Sequence, residues 1–459
     1  MKKKIVVIGS GPGGAASGAL LRKKGHEVTL IESKSFTGGR CASFSKEGFV
    51  YDFGVHMFSR GNRGPHGEVN RIIEGDLRWK THDPAARVMG RVEFDFPLDI
   101  RSFLTQIRLA LKLKVKPARY AGAFRLFRTL LKGENCERLD GMTTEAFVDS
   151  FTDDDMVHLF INCLCQLYFA LSYKEASASE FIWCFSRMFK EASFGYPFGA
   201  SKAIPDAFLK RFLQTGGVLK VNEKVSRIEI EGGRVTGVRT EKGFYPADVV
   251  ISSVGAYPTL MLSGREKFPE TYAADIEKKR GSNAYITLKY ALDRKVIPYP
   301  TVFYMPNLPG KNAFQYIEDK TAPDDVYIFM PVPSNQDPSL APPGKQLVIA
   351  GTAAPPFASV DLCNAILDKI HERVCDLFPD LASSILWRLR SNREDTSDLT
   401  GLENGSCIGL AQTANQSGKF HLSLETPVEG LFLVGADAGS RGIGTELAVG
   451  SALNLAGRL

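Results

Sequence analysis

A glycine-rich segment near the amino terminus has the spacing of a dinucleotide-binding turn. Gly9, Gly11, Gly13 and Gly14 follow the apolar run Lys4–Ile8, which is typical of a buried parallel strand. Glycines at the first, third and sixth positions of such a turn allow a tight bend, let a pyrophosphate approach the backbone, and let helix and strand pack closely. The first N–H groups of the next helix bind phosphate. The segment therefore predicts the phosphate site of a dinucleotide.

An acidic residue follows the second predicted strand. Residues 15–24 have an apolar helical face, Gly25 ends that helix, and the strand 28–31 leads into Glu32 and Ser33. A carboxylate here can accept hydrogen bonds from both ribose hydroxyls, and its charge repels a 2′-phosphate. The strand, turn, helix, second strand and acid occur in the order of a dinucleotide-binding unit. A structural turn without a ligand is therefore the weaker alternative. We include Glu32 and Ser33 in the predicted cofactor site.

The segment after Glu32 indicates which dinucleotide is bound. Gly38, Gly39 and Arg40 follow closely, and the sequence Tyr-Asp-Phe-Gly-Val-His occupies 51–56. This resembles the GGR extension of the FAD-binding amine oxidase superfamily, which contains amine oxidases, protoporphyrinogen oxidase, and the carotenoid desaturases and isomerases. The resemblance implies non-covalent FAD, with Gly39 and Arg40 at its pyrophosphate. A solvated surface charge is the alternative for Arg40.

The carboxyl terminus carries a second pattern of the same family. An apolar strand leads into Gly435 and Asp437, and a glycine-bearing loop then precedes a helix of small residues. The resemblance implies that Gly435 and Asp437 lie near the ribityl chain or the pyrophosphate. It also implies that the N–H groups of Gly444, Thr445 and Glu446 face the flavin pyrimidine edge, where a helix amino terminus stabilises negative charge. An ordinary strand–helix unit is the alternative.

The cofactor motifs are far apart in the chain, which predicts an α/β fold with a discontinuous domain layout. We expect a Rossmann-type FAD-binding domain and an α+β substrate domain that is partly helical and partly mixed sheet. The predicted limits are 1–75, 195–262 and 420–459 for the FAD-binding domain, and 76–194 and 263–419 for the substrate domain. Between the motifs, Val225 matches a family position near the adenine. Ala200 replaces the second glycine of a pair, which puts close backbone approach there in doubt.

The substrate segments favour an apolar ligand. The chain has 30 phenylalanines, many of them in 76–194, and 156–172 is apolar almost all round. A helix lining a cavity and a plain hydrophobic core both fit that pattern, and the core is the commoner case. The sequence contains no GxSxG, HExxH or clustered metal ligands, so we predict no hydrolase and no metal site. His56 is a candidate catalytic residue beside the flavin, or equally a packed loop histidine.

A basic amphipathic stretch spans 101–132. Pro117 should divide it into two helices. It contains no acidic residue, and leucines and phenylalanines alternate with these cations: Arg101, Arg108, Lys112, Lys114, Lys116, Arg119, Arg125, Arg128 and Lys132. Such a pattern fits helices that lie on anionic lipid. A solvated helical face is the alternative, and nucleic acid is not expected because no nucleic-acid-binding module accompanies the charge.

These patterns together predict a location and an activity. The 8 cysteines are scattered, which indicates reduced thiols in a cytoplasmic protein, and no apolar stretch is long enough to span a membrane. We expect a protein at the inner face of the membrane. The family resemblance implies a phytoene desaturase-like oxidoreductase that transfers hydride from an isoprenoid or carotenoid-like substrate to flavin N5, or a related saturase or isomerase. The alternatives are an amine or porphyrinogen oxidase acting on a smaller soluble substrate, and a non-catalytic FAD-binding membrane scaffold.

Overall fold

The computed structural model describes residues 2–54, 57–401 and 405–459. Its strands, in chain order, are β1 Lys4–Ile8, β2 Glu27–Ile31, β3 Ser43–Lys46, β4 Phe49–Asp52, β5 Trp79–Thr81, β6 Ala86–Gly90, β7 Phe94–Phe96, β8 Gly195–Pro197, β9 Val218–Lys220, β10 Val225–Glu231, β11 Arg234–Thr240, β12 Gly243–Pro246, β13 Val249–Ser252, β14 Ala284–Leu292, β15 Thr301–Met305, β16 Ile328–Pro331, β17 Gln346–Ala354, β18 Ile385–Ser391 and β19 Leu431–Leu433.

The helices connect these strands and cover the sheets. In chain order they are α1 Pro12–Lys23, α2 Pro65–Ile72, α3 Phe103–Lys112, α4 Tyr120–Lys132, α5 Thr144–Asp149, α6 Asp155–Phe169, α7 Ala178–Glu191, α8 Ala203–Gln214, α9 Ala256–Ser263, α10 Glu270–Lys278, α11 Gln315–Asp319, α12 Pro333–Gln336, α13 Val360–Leu377, α14 Arg393–Thr400 and α15 Gly444–Arg458.

A parallel five-stranded sheet has the order β19-β13-β1-β2-β9. Its strands come from three distant parts of the chain, and all of them lie in segments assigned above to the FAD-binding domain, although the domain limits themselves stay a prediction. The buried side chains of β1 alternate: Ile5 and Val7 pack with α1, α8 and α15, whereas Val6 and Ile8 pack with the β10–β12 sheet. Both faces are therefore covered, which confirms the predicted α/β class.

A seven-stranded mixed sheet has the order β18-β14-β17-β16-β15-β6-β7. It shares its core with α6, α7 and α13, and this core holds most of the phenylalanines of the helical segment. The apolar stretch predicted at 156–172 is mainly core, because α6 is buried along almost its whole length. The sequence pattern of the second substrate segment predicts strands at 326–331 and 346–350. The first begins only at Ile328, and the second continues to Ala354.

The basic stretch forms two helices, as predicted. Ser102 caps α3 by accepting a hydrogen bond from the N–H of Thr105, and Pro117 opens a short 3-10 turn before α4. Gly133 ends α4 in the left-handed conformation that favours glycine. In the described ranges no helix is both long and apolar enough to cross a bilayer.

Candidate functional site

A cavity of about 750 Å³ runs between the parallel sheet and the seven-stranded sheet. It begins at the carboxyl ends of β1 and β2, where parallel sheets place their ligands. Most of the predicted cofactor residues line it: Gly9, Gly11, Gly13, Glu32, Ser33, Gly39, Arg40, Val225, Gly435, Asp437, Gly444 and Thr445. Gly14 and Glu446 lie behind this lining, and His56 is outside the described residues.

The glycine-rich turn has separate roles for its glycines. Gly9 has a φ of +92°, a conformation that favours glycine. A Cβ at Gly14 would overlap the carbonyl oxygen of Gly9, so Gly14 allows the helix to pack on the strand. A Cβ at Gly11 would meet no described atom within 4 Å, because it would point into open space. The turn thus leaves room for a ligand directly beside the backbone.

The first helix presents its amino terminus to this space. Gly11 precedes α1, Pro12 is its first residue, and no side chain caps the helix. The N–H groups of Gly13 and Gly14 have no acceptor within the helix, because only the N–H of Ala15 reaches the carbonyl of Gly11. Unpaired N–H groups and the helix dipole make such a terminus a site for phosphate.

The GGR segment lies against the glycine-rich turn. The N–H of Gly38 donates to the carbonyl of Ser10 at 3.3 Å, and a Cβ at Gly39 would be 3.3 Å from the Cα of Gly11. Arg40 belongs to the 3-10 turn Gly39–Cys41 and lines the cavity. Two motifs separated in sequence therefore form one wall, with a guanidinium beside the helix terminus.

Glu32 is buried and held by its neighbours. Its Oε2 accepts from the N–H of Ser10 at 2.9 Å and from the Ser10 hydroxyl at 2.7 Å. Its Oε1 accepts from the N–H of Lys34 at 2.9 Å and from the Ser33 hydroxyl at 3.2 Å. A carboxylate offers about four acceptor positions, so ribose hydroxyls would replace the two serine hydroxyls while the backbone donors keep the group oriented.

Asp437 connects two other segments of the cavity wall. Its Oδ2 accepts from the N–H of Ala256 at 2.9 Å, and its Oδ1 accepts from the N–H of Leu410 at 2.9 Å. The side chain thereby fixes the amino end of α9 and the 409–410 backbone beside β19. Its direct contact with the cofactor stays a prediction, and its structural role was not visible in the sequence.

The carboxyl-terminal helix presents a second amino terminus to the cavity. Gly444 and Thr445 line it, whereas the Glu446 carboxylate turns away. Glu446 accepts from the Ser59 hydroxyl at 3.1 Å and from the N–H of Arg60 at 2.9 Å, and burial raises its pKa. The Glu446 side chain therefore ties the 59–60 loop to α15, and contact of its N–H with the flavin stays a prediction.

The apolar end of the cavity, beyond the cofactor motifs, has a mainly apolar wall that also carries several hydroxyl groups. Sequence reasoning missed these residues, which are Phe53 and Met57 together with side chains of α6, the seven-stranded sheet, α14 and the 405–413 segment. They are Phe53, Met57, Leu167, Tyr168, Tyr285, Thr287, Phe329, Ser391, Thr396, Leu399, Thr400, Cys407 and Ile408. One signal was available: Tyr285, Thr287 and Lys289 alternate along an otherwise apolar strand, which places a lone lysine on the same face as the first two.

Two further predicted positions are described. Val225 is buried at the start of β10 and lines the cavity with Glu223 and Lys224. Ala200 has a φ of +68°, so the alanine adopts the left-handed conformation that a glycine would occupy there. A left-handed backbone is therefore present here although the residue is an alanine.

The residues present fit FAD. The cavity offers open space at Gly11, two helix amino termini for negative charge, and a buried carboxylate at the end of β2. It then continues beyond the nucleotide-binding motifs into a mainly apolar region. Among the described residues no group of histidine, cysteine and acidic side chains could hold a metal ion, and every cysteine is a free thiol.

Comparison with known proteins gives a consistent result. The profile of a family described as flavin-containing amine oxidoreductase matches residues 14–459. A zeta-carotene-forming phytoene desaturase of Myxococcus xanthus is 27% identical, over 95% of this chain and 89% of its own length. A lycopene-forming phytoene desaturase of Pseudescherichia vulneris is 24% identical, over 95% and 94%. The crystal structure of an oxidoreductase from Methanosarcina mazei superposes with a TM-score of 0.78, at 23% identity, over 98% of this chain and 99% of the other.

Proposed function

The chain belongs to the flavin-containing amine oxidoreductase family and is an FAD-dependent oxidoreductase, and from this premise we propose that it desaturates a long apolar substrate of the isoprenoid or carotenoid type. One observation carries the proposal: a single cavity joins the nucleotide-binding motifs to a wall of Phe53, Tyr285 and Phe329. Relatives named as phytoene desaturases match nearly the whole chain, which supports the same substrate class.

In this proposal the chain binds and orients while the cofactor carries the redox chemistry. Bound FAD supplies two-electron oxidation of a carbon–hydrogen bond. The amino terminus of α1 and Arg40 would hold the pyrophosphate, and Glu32 the adenosine ribose. The amino terminus of α15 would stabilise negative charge at the pyrimidine edge. The aromatic wall would exclude water and align the chain of the substrate.

The test begins with the purified protein. It should be yellow and should release FAD in acid, because no side chain is predicted to bond the flavin covalently. Under anaerobic conditions phytoene or zeta-carotene in liposomes should bleach the bound flavin, and the product should be two hydrogens lighter. A product two hydrogens heavier from pre-reduced enzyme would indicate a saturase, and an isomer of unchanged mass an isomerase. Bleaching by aliphatic amines but not by polyenes would contradict the proposal in favour of an amine oxidase.

We also propose that the enzyme collects this substrate from an anionic membrane surface through α3 and α4. A long hydrocarbon has almost no concentration in water, so a direct route from lipid is required. Phe103, Leu104 and Leu111 of α3 are 58%, 65% and 55% exposed. The cations of the stretch are all exposed around them. Apolar side chains that can insert, ringed by positive charge, match an anionic bilayer.

The two helices also enclose a groove of about 390 Å³. Phe103, Phe124 and Leu131 form its apolar part, while Arg101, Arg128 and Lys132 stand at its edge. This arrangement suits an acyl chain whose anionic headgroup meets the cations. A solvated face needs no such groove, so the groove favours lipid docking over the alternative given above.

Liposome co-sedimentation tests the docking surface. The variant Lys112→Glu, Lys114→Glu and Lys116→Glu should bind anionic vesicles about 100-fold more weakly, since each cation near the surface contributes about 1 kcal/mol. A second variant, Leu104→Ser with Leu111→Ser, should weaken binding without a change in charge.

The matched control carries the same change in charge elsewhere, at three exposed lysines: Lys267→Glu, Lys278→Glu and Lys295→Glu. It should bind anionic vesicles like the wild type, and salt should weaken all binding. If the control loses as much vesicle binding as the first variant, the effect comes from net charge and not from this surface. Tight binding to duplex DNA in place of vesicles would reject lipid as the partner.

A further inference from the structure

A lysine is buried behind the apolar end of the cavity. Lys289 lies on β14 with a relative exposure of 1%. Its Nζ donates to the Thr287 hydroxyl at 2.9 Å and to the Ser391 hydroxyl at 2.7 Å, and it lies 5.7 Å from the centroid of the Phe53 ring. Within the described ranges no carboxylate forms an ion pair with it. A buried ammonium held by two hydroxyls is costly, so its retention calls for a reason.

The charges around Lys289 favour its protonated form at neutral pH. Burial lowers its pKa to about 8, while Asp395 and Asp52 act in the opposite direction. Both carboxylates are engaged elsewhere: Asp395 accepts from the N–H of Asn392, and Asp52 accepts from the N–H and hydroxyl of Ser201. The lysine thus remains a cation whose charge is only partly balanced.

The two hydroxyls are adjacent and are constrained by the lysine. Thr287 and Ser391 are directly opposed across β14 and β18, and both line the cavity. An ammonium has only donors, so both hydroxyl oxygens must accept from it. Their own hydrogens must therefore point to other acceptors. Two donors, backed by a cation, therefore face a cavity whose lining also includes the rings of Phe53, Tyr285 and Phe329 and the hydroxyls of Thr396 and Thr400.

We propose that this part of the cavity binds an acceptor oxygen, a carboxylate or carbonyl, at one end of an otherwise apolar substrate, with Thr287 and Ser391 as donors and Lys289 as the positioning residue behind them. This inference rests on the proposed function, since it assumes that the apolar end of the cavity receives the substrate. Donors in an apolar wall discriminate strongly, because a ligand without an acceptor leaves them unpaired. The site would thus select one end of the substrate and set its direction along the cavity.

Two soluble probes of equal chain length test the inference on the FAD-loaded protein. Decanoate carries acceptor oxygens and negative charge, whereas decylamine carries donors and positive charge. Titration calorimetry should show decanoate binding at least about 10-fold more tightly to the wild type. Lys289→Met should reduce that preference to about 2-fold or less with unchanged FAD content. The pair Thr287→Val with Ser391→Ala should do the same with the lysine in place.

The control is Lys295→Met, which removes an exposed lysine nearby in sequence and should keep the full preference for decanoate. Equal binding of both probes, binding of neither, or a preference that survives in both variants would overturn the inference. So would variants that bind decanoate normally but lose FAD, because the hydroxyls would then serve the cofactor.

Failure of this inference is separable from failure of the proposed function. Phytoene that bleaches the wild-type flavin while decanoate shows no preference would leave the desaturase proposal intact and reject the acceptor site. A decanoate preference that depends on Lys289, without bleaching by any polyene, would support the acceptor site and reject the desaturase proposal.

Discussion

The two ends of the central cavity are built from different parts of the chain and from different atoms. At the nucleotide end, backbone N–H groups of a glycine-rich turn and two helix amino termini face the cavity, with Glu32 nearby. At the other end, the substrate end of our proposal, side chains face it, and they come mainly from α6 and from β14, β16 and β18 of the seven-stranded sheet. The first end depends on local backbone conformation, and the second depends on how distant strands are placed side by side.

This difference explains what each end can recognise. A pyrophosphate is the same in every FAD molecule, so backbone donors and the helix dipole suffice to bind it. Substrates differ in shape and in their polar groups, so their recognition requires side chains whose identity can vary without disturbing the fold. Substitutions should therefore separate the ends: changes at the nucleotide end should affect FAD binding, and changes at the substrate end should affect selectivity and pH dependence.

The largest effect is expected from Gly14→Ala at the nucleotide end. The added methyl group would overlap the carbonyl of Gly9, so we expect a destabilisation of about 3 kcal/mol or more and loss of FAD. Gly11→Ala is the matched change, because its φ of −62° suits alanine and its Cβ would meet no described atom. It should keep the melting temperature of the apoprotein but weaken FAD binding. Normal flavin content in both variants would contradict a phosphate site at this turn.

The next effect concerns the buried lysine of the substrate end. The folded pKa of about 8 lies below the ordinary 10.5, so between these values the unfolded chain binds the proton more readily. The contribution of Lys289 to wild-type stability should therefore rise by about 3 kcal/mol as the pH increases through this window. Lys289→Met should melt at a higher temperature than the wild type at pH 7, and this difference in melting temperature should disappear towards pH 10. A gap independent of pH would show that the amine is not a buried cation.

Smaller effects are expected from the charged groups of the nucleotide end. Glu32→Ala, Asp437→Ala and Arg40→Ala should each lower FAD affinity about 10- to 150-fold, the range for one charge-assisted hydrogen bond. Asp437→Ala should also lower the melting temperature of the apoprotein, because two backbone N–H groups lose their acceptor. Glu27→Ala, an exposed acid at the other end of β2, is the control for fluorescence titration with FAD. Unchanged affinity in all three would reject the cofactor assignment.

The smallest effect is expected from Ser33→Ala. Its hydroxyl donates to Glu32 at 3.2 Å and would yield that position to a ribose hydroxyl. Because this hydrogen bond would be given up when FAD binds, its loss should change FAD affinity only about 2- to 5-fold. Selectivity between decanoate and decylamine should stay unchanged, since Ser33 belongs to the other end. A change in that selectivity would show that the two ends are not independent.

Prediction from sequence succeeded where the signal was local. The strand Lys4–Ile8 has the predicted bounds, because hydrophobic periodicity acts over a few positions. Cofactor contacts were predicted for Asp437 and Glu446, but the hydrogen bonds that their carboxylates accept were not. Each carboxylate bonds the backbone of a segment far away in the chain, and no spacing rule encodes such a contact.

By itself the sequence determined the α/β class, FAD as the cofactor, and most of the residues that line the nucleotide end of the cavity. The phosphate-binding turn and Glu32 follow from glycine spacing, strand patterns and an acid after β2, which act within one strand–turn–helix unit. FAD and the carboxyl-terminal residues follow from the resemblance to the amine oxidase superfamily. Only the tertiary structure decided that the GGR segment packs on Gly11, that Lys289 lies behind Thr287 and Ser391, and that the phenylalanines are mainly core. Such contacts join separate elements of the chain, as β14 and β18 are joined by Lys289 and Ser391. Burial, which gives the lysine its altered pKa, exists only once the sheets have assembled.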